Sequence, residues 1–546
     1  MAKTYQTPGV YIEEKSAFPN SVVPVPTATP AFIGYTEIAI RDKKDLTKVP
    51  TKIGSYSEFL QFFGAPPLTT FSISADSPDK LVIAERHFTL HSQIKLFFSN
   101  GGSECYVVSV GGYETVGEGG STPGRVKTED LRAGIEPLLK YPEPSMIVIP
   151  EANMADDDDG TVYGLYQDML KHCGEDTRSR FAIMDVRMDR KKYSTPSYNM
   201  GADIDLFRQE IGNNNLQWGA AYFPWLHTSV VTPDEVNILN IHPGSIGKIG
   251  SIKDISEEIL DDGAIKDRDG FKVAMVDAID TATLLGLLER ALNQEVLDGL
   301  VKPARANEIK NELFRQIPAV LKDKDDAKIN ELDQGLLRNS PTYKKLLTDI
   351  RLQLNLLPPS GAMAGIYSMV DNSAGVFQSP ANVGVASVVE PAVNINSVEQ
   401  ESLNLPLDGK AVNAIRSFPG KGTLVWGART LDGNSQDWRY ISVRRTVIYI
   451  EQSIKNALEP YVFEPNTSST WSDVQAMIVN FLTNTWQTGA LVGASPEDAF
   501  SVDVGLGSTM TQTDILNGIM RISAKIAVVR PAEFIVLTFE QQLQQS

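Results

Sequence analysis

The chain has 546 residues, 42% of them hydrophobic and 22% charged. This is an ordinary folded-protein composition in a chain longer than one hydrophobic core serves, so about two to four folded units are expected. A net charge of −18 excludes a broad nucleic-acid surface, which needs clustered Lys and Arg, and two cysteines without a CxxC spacing, Cys105 and Cys173, exclude a disulfide scaffold or zinc ribbon.

Residues 8–14, PGVYIEE, read as one short strand with Val10 and Ile12 on one face and Tyr11 between them. Pro19, Pro24, Pro26 and Pro30 follow, a spacing that allows neither helix nor central strand and predicts a stiff, extended linker. A strand on such a tether must find its pairing partner elsewhere. The opening residues lack the apolar stretch of a secretory signal, and no run approaches the roughly 20 apolar residues of a membrane span. Synthesis in the cytoplasm is expected, with any later exit by another route such as lysis.

From residue 31 the pattern predicts a strand over 31–35, a helical turn over 57–64 stopped by Gly64, a helix over 83–98 and a strand over 105–110. Six glycines between 111 and 124 predict a flexible loop. Residues 135–230 then alternate. Strands are expected over 146–149, 181–184 and 218–225, and helices over 161–172 and 204–211. That βαβαβ order implies a parallel sheet with right-handed crossovers.

Residues 231–357 interrupt it with a charged, mostly helical stretch in which Leu284, Leu288, Ala291, Leu292 and Val296 share one helix face. It reads as an inserted, outward-facing subdomain, and Pro358-Pro359 return the chain to its parent domain. The last block carries a helix over 471–486, ended near Gly489, and two strands around Pro531. In the first strand Ile522, Ala524, Ile526 and Val528 alternate with polar residues. In the second, Phe534, Ile535, Val536 and Leu537 are apolar on both faces, which predicts a strand covered on both sides within a sheet.

Positive signs of catalysis are missing. The GxGxxG fingerprint does not follow the strand at 146–149, and Gly247-Lys248 lacks the Walker spacing. Asp156 to Asp159 lack the ligand spacing of a calcium loop and are better placed to cap the helix that follows. His87 and His91 stand four apart without the Glu of an HExxH arrangement, and no GxSxG elbow occurs. No catalytic, cofactor or metal residue is assigned.

Several segments, in order along the chain, resemble the contractile tail sheath family of phages and injection systems. They are TPGVY at residues 7–11, FFSNGG at 97–102, LPPSGAMAGIY at 357–367, SPAN at 379–382, VNAIR at 412–416, GTLVWGART at 422–430, WRYISVRR at 438–445 and GALVG at 489–493. The resemblance implies an α/β and α+β multidomain fold. Residues 1–30 form an arm and linker, and 31–134 with 386–546 form an inner core domain that includes a C-terminal arm. Residues 135–230 with 358–385 form an α/β domain, and 231–357 an outer insertion.

It also implies a structural, non-enzymatic subunit that stacks as homo-hexameric rings into a helical sleeve around an inner tube, with baseplate and terminal cap proteins as further partners. Neither nucleic acid nor membrane insertion is implied. The terminal strands, through Val10, Tyr11, Ile12, Ile526, Val528, Phe534, Ile535, Val536 and Leu537, would complete a neighbour's sheet while the linker swings. A helix of the C-terminal domain faces the tube in this family. Here the candidate is 472–484, offering Asp473, Gln475, Asn480, Thr483 and Asn484; a plain buried helix is the alternative. Gly361, Gly365, Gly427 and Gly489 are expected in turns or close packing, Trp426 and Trp438 in the core, and Arg444 and Arg445 in ion pairs. A doubly wound enzyme with appended domains is the competing reading, resting on residues 135–230 alone.

Overall fold

The computed structural model describes residues 21–73, 81–85, 87–117, 120–189, 193–241 and 341–536, with isolated positions between 330 and 337. The chain divides into two units, each described by itself. The larger comprises Ala28–Asn372 with Pro380–Ile441, and the smaller the described residues of Met1–Thr27, Ser373–Ser379 and Ser442–Ser546. Together they make a mixed α/β, multidomain fold.

The larger unit is organised by apolar strand runs buried on both faces, the signature of parallel strands covered by helices. The strands of its two main sheets are β1 (Pro30–Gly34), β2 (Thr51–Ile53), β3 (Cys105–Ser109), β4 (Met146–Val148), β5 (Phe181–Asp185), β6 (Gly219–Phe223), β7 (Leu226–Thr228), β8 (Leu356–Leu357), β9 (Val388–Pro391), β10 (Asn413–Phe418) and β11 (Gly422–Val425). Eight form one sheet in the order β11-β10-β6-β5-β4-β1-β3-β2. The run from β10 to β3 is parallel, with Ala31 opposite both Ile147 and Tyr106. The expected βαβαβ order is therefore present, but the domain boundary at residue 134 is not. β1 lies between β3 and β4, so residues from both sides of that boundary share one sheet. Strand pairing across 116 residues of sequence (Ala31 to Ile147) gave no local signal. A second, antiparallel sheet, β8-β7-β9, pairs Leu226 with Leu357 and Pro391. It ties down the chain where it returns from the insertion.

The helices named below are α1 (Tyr56–Phe63), α2 (Leu90–Ser99), α3 (Asp159–Lys171), α4 (Met200–Glu210), α5 (Pro341–Leu354) and α6 (Ser360–Ser373). Ser55 caps α1 by accepting from Glu58 N, and Gly64 stops it at φ +85°. The helix expected over 83–98 is two elements: Leu81–Glu85 is a strand paired with Thr70–Ile73, and α2 starts only at Leu90. The break is fixed from outside the segment, because the Glu151 carboxylate accepts from Thr89 N and Leu90 N. The expected glycine loop is a hairpin of Glu114–Gly117 and Gly120–Pro123, where Thr115, Val116 and Thr122 favour extended backbone.

Helix α6 is buried from Ser360 through Ser368, and its small residues let α2 lie against it. A Cβ at Gly361 would sit 2.8 Å from the Gln93 carbonyl oxygen, and one at Gly365 2.8 Å from Asn100 Cβ. Phe32, Phe97, Met146, Ala362, Ile366 and Tyr367 share the core there. Of the insertion, Ile238 N and the Tyr343 hydroxyl of α5 both donate to Asp333. Leu284, Leu288, Ala291, Leu292 and Val296 lie outside the described residues.

In the smaller unit, α7 (Ile441–Leu458, whose first residue closes the larger unit) and α8 (Ser468–Gln487) pack with β12 (Phe500–Val504) and β13 (Ile522–Ile526). Val474, Met477, Ile478, Phe481 and Leu482 form the buried stripe of α8, against Ile450, Leu491, Phe500 and Val502. Gly489 turns the chain at φ +88°.

Over its described part the linker is held against the smaller unit. Val22 is buried in this core, Val25 N donates to Ser453 Oγ (3.1 Å), and Thr27 O accepts from Arg445 (2.9 Å). Arg444 meets Glu451 at 3.3 Å. Two expectations in the core fail. Trp426 is 36% exposed and lies tilted against Phe418 with ring centres 4.5 Å apart, and Trp438 is half-buried.

Candidate assembly surface

Among its described residues the smaller unit carries a sheet of two strands, β12 and β13. They are antiparallel, with Phe500 opposite Ile526 and Val504 opposite Ile522. Past its end, Ala527 N donates to Ala499 O (2.8 Å), Val492 N donates to Ala527 O (2.7 Å), and Val529 N donates to Ala490 O (3.1 Å). All three bonds leave the same edge. In an antiparallel ladder the backbone groups of alternate residues point to opposite edges. The N–H and C=O groups of Ile522, Ala524, Ile526 and Val528 therefore aim at the other edge, where no strand among the described residues pairs with them. Their side chains meanwhile anchor the strand, with Ile522, Ile526 and Val528 packed on the core. The result is a rigid strand presenting a row of backbone donors and acceptors.

The chain then leaves this sheet as an apolar tail. Phe534, Ile535 and Val536 are 65, 81 and 85% exposed and belong to no strand. The expectation that they lie covered within a sheet is not met in the chain, which offers them no adjacent strand among its described residues. Leu537, Val10, Tyr11 and Ile12 fall outside the described residues. On α8, Asp473, Asn480 and Asn484 are exposed along one face. Gln475 and Thr483 are half-buried and engaged within the unit, Gln475 Nε2 on Val502 O (2.7 Å) and Thr483 Oγ1 on Val479 O (2.7 Å). Sequence reasoning thus places three of five residues on an open face; the other two satisfy their polar groups locally.

The carboxyl ends of parallel strands are where doubly wound enzymes bind their ligands. Here protein groups meet those of β1, β4 and β5. Glu151 accepts from Tyr35 N (2.8 Å), Thr89 N (2.7 Å) and Leu90 N (2.9 Å), and Asp185 Oδ1 accepts from Ser360 N (2.7 Å). Burial pushes both carboxyls up to about 7.

Asp158 caps α3 by accepting from Thr161 N (3.0 Å), as the acidic run suggested. His87 precedes α2, so it shares no helix face with His91, which meets the Tyr56 hydroxyl. His91 and His172 are pushed down to about 4 by burial. Cys105 and Cys173 are buried and unpaired by disulfide. Among the described residues no group of three His, Cys, Asp or Glu could hold a metal ion, and no helix is long and apolar enough to cross a membrane.

Residues 434–542, which contain α8, both strands of the open sheet and the apolar tail, match the family model of the phage tail sheath C-terminal domain. The chain resembles contractile tail sheath proteins. A tail sheath protein of Vibrio phage KVP40 is 25% identical over 138 residues, 25% of this chain and 20% of the phage protein, so that likeness spans about a fifth of the relative's length.

The fold likeness runs the full length. The sheath complex of the extracellular contractile injection system PVC, in its contracted state, has a TM-score of 0.56 at 23% identity, covering 100% of this chain and 99% of that one. The helical sheath of the anti-feeding prophage, also contracted, has a TM-score of 0.56 at 24% identity, covering 99 and 100%. A chain of the anti-feeding prophage baseplate has a TM-score of 0.55 at 25% identity, covering 99 and 100%. Each of these fold likenesses covers the residues of both units.

Proposed function

We propose that this chain is a sheath subunit of a phage tail or phage-tail-like particle. It polymerises as stacked hexameric rings into a helical sleeve around an inner tube, and the sleeve contracts to drive the tube through a target envelope. The observation that carries the reading is the pairing, on one small unit, of an unfilled strand edge at Ile522–Val528 with an exposed apolar tail at Phe534–Val536. One copy's tail, together with the N-terminal strand around Val10 and Ile12, fills the next copy's edge by strand addition, mostly through backbone hydrogen bonds. Support for contraction comes from the fold likeness to sheaths solved in the contracted state. The role is structural and not catalytic, consistent with strand ends already filled by Glu151 and Asp185. The exposed face of α8 at Asp473, Asn480 and Asn484 meets the tube, and baseplate and cap proteins bound the two ends.

The test is electron microscopy of the purified protein, with variants lacking residues 1–20 or 533–546. Wild type should form striated sleeves, and both truncations should leave folded, dispersed subunits. Truncated proteins that still polymerise would sink the strand-addition mechanism.

A further inference from the structure

Phe463 combines two unfavourable features. It is 102% exposed, and its φ of +76° lies in the left-handed region that bulky residues rarely adopt. Among the described residues no hydrogen bond or ring contact compensates for either. The loop that carries it is nevertheless well held. Val462 N donates to Glu459 O (3.2 Å), Glu464 N to Tyr461 O (3.1 Å), and Trp471 Nε1 to Asn466 Oδ1 (2.6 Å). Asn466 Nδ2 in turn donates to Ile519 O (3.2 Å), which places the loop beside a second exposed apolar stretch containing Leu516 and Ile519. A strained aromatic on a fixed base, extended by Val462, Leu516 and Ile519, is the composition of an interface anchor.

Size decides what kind of anchor. A Phe ring buries roughly 150–250 Å², and even with its neighbours this falls far short of the roughly 1,200–2,000 Å² of a stable interface. The patch must therefore extend a larger contact. Ile519 leads through Met520 and Arg521 directly into Ile522, where the open edge of β13 begins. The adjacent cation, Arg521, is itself paired with Asp514 at 3.1 Å.

We propose that Phe463, with Val462, Leu516 and Ile519, docks on a second copy of this chain, the same copy whose strand fills the β13 edge. This rests on the sheath reading above. Phe463→Gly separates the proposal from a purely structural role, since glycine accepts the positive φ and removes the ring. The full-length variant, held below its assembly concentration, should melt at or above the wild-type temperature. Its critical concentration for sleeve formation, read by sedimentation and microscopy, should rise about tenfold or more. Leu516→Ser should act in the same direction, and Phe463→Leu should fall between.

Wild-type and Phe463→Gly proteins that assemble at the same concentration would overturn the proposal while leaving the sheath reading standing. So would a Phe463→Gly protein that polymerises normally alone and fails only around the inner tube, which would make the tube the occupant. A lower melting temperature for Phe463→Gly would also overturn it, by showing that the ring serves the fold. A wild-type protein that never assembles would remove the sheath reading and this inference together.

Discussion

Two buried carboxylates contribute to how the larger unit responds to pH. Asp185 is pushed up from the ordinary 3.8 to about 7, chiefly by burial, and only the Ser360 donors oppose the shift. Glu151 reaches about 7 for the same reason, against three backbone donors. The folded state thus holds these protons more tightly than the unfolded chain does. Their contribution to stability is fully present below about pH 4 and is lost as pH rises through about 7, a difference of a few kcal/mol at most. Asp185→Asn keeps an acceptor for Ser360 N and carries no charge. Its melting temperature at pH 8 should exceed the wild type's, and its decline between pH 4 and 7 should be shallower. A variant less stable than wild type at pH 8 would mean that Asp185 is held ionised. The sequence showed the capping carboxylate Asp158, because cap and helix are adjacent. It could not show Asp185 or Glu151, whose partners are distant in sequence, nor that Trp426 stays at the surface against Phe418.

At the scale of elements, the contact between α2 and α6 depends on absent side chains. Gly365→Val would drive a branched side chain against Phe97 and Asn100, and should lower stability by about 1–3 kcal/mol in denaturant unfolding. Gly489→Ala meets open space, so its cost comes only from the positive φ and should be about 1 kcal/mol. Comparing the two measures close packing against backbone freedom. Strands with continuous apolar runs, such as β4 and β5, were readable because burial on both faces leaves no alternation to misread. The start of α2 was not, since Glu151 decides it from elsewhere in the fold. The open edge of β13 was half readable: alternation gave the strand and its inward face, while the missing neighbour is visible only in the folded sheet.

For the whole molecule, the insertion leaves and re-enters near one point, where Ile238 N and the Tyr343 hydroxyl meet Asp333. Replacing residues 242–332 with a short Gly/Ser linker should therefore leave the larger unit folded, with a melting temperature within about 3 °C of wild type, roughly the effect of a 1 kcal/mol change. Asp333→Ala in the full chain should cost more than that excision. The βαβαβ order was legible in the sequence, but the single sheet that unites it with β1 and β3 was not, because chain order does not reveal pairing across distant segments.

The unfilled β13 edge also fixes a valence. If each copy accepts at one edge and donates its terminal strands to one neighbour, a file of copies has direction, like a row of plugs and sockets. However long it grows, one terminus keeps a vacant socket and the other an unused plug. The two ends are then chemically distinct, and a stopper made for one cannot serve the other. Polarity of the whole assembly would follow from two strands in one small sheet.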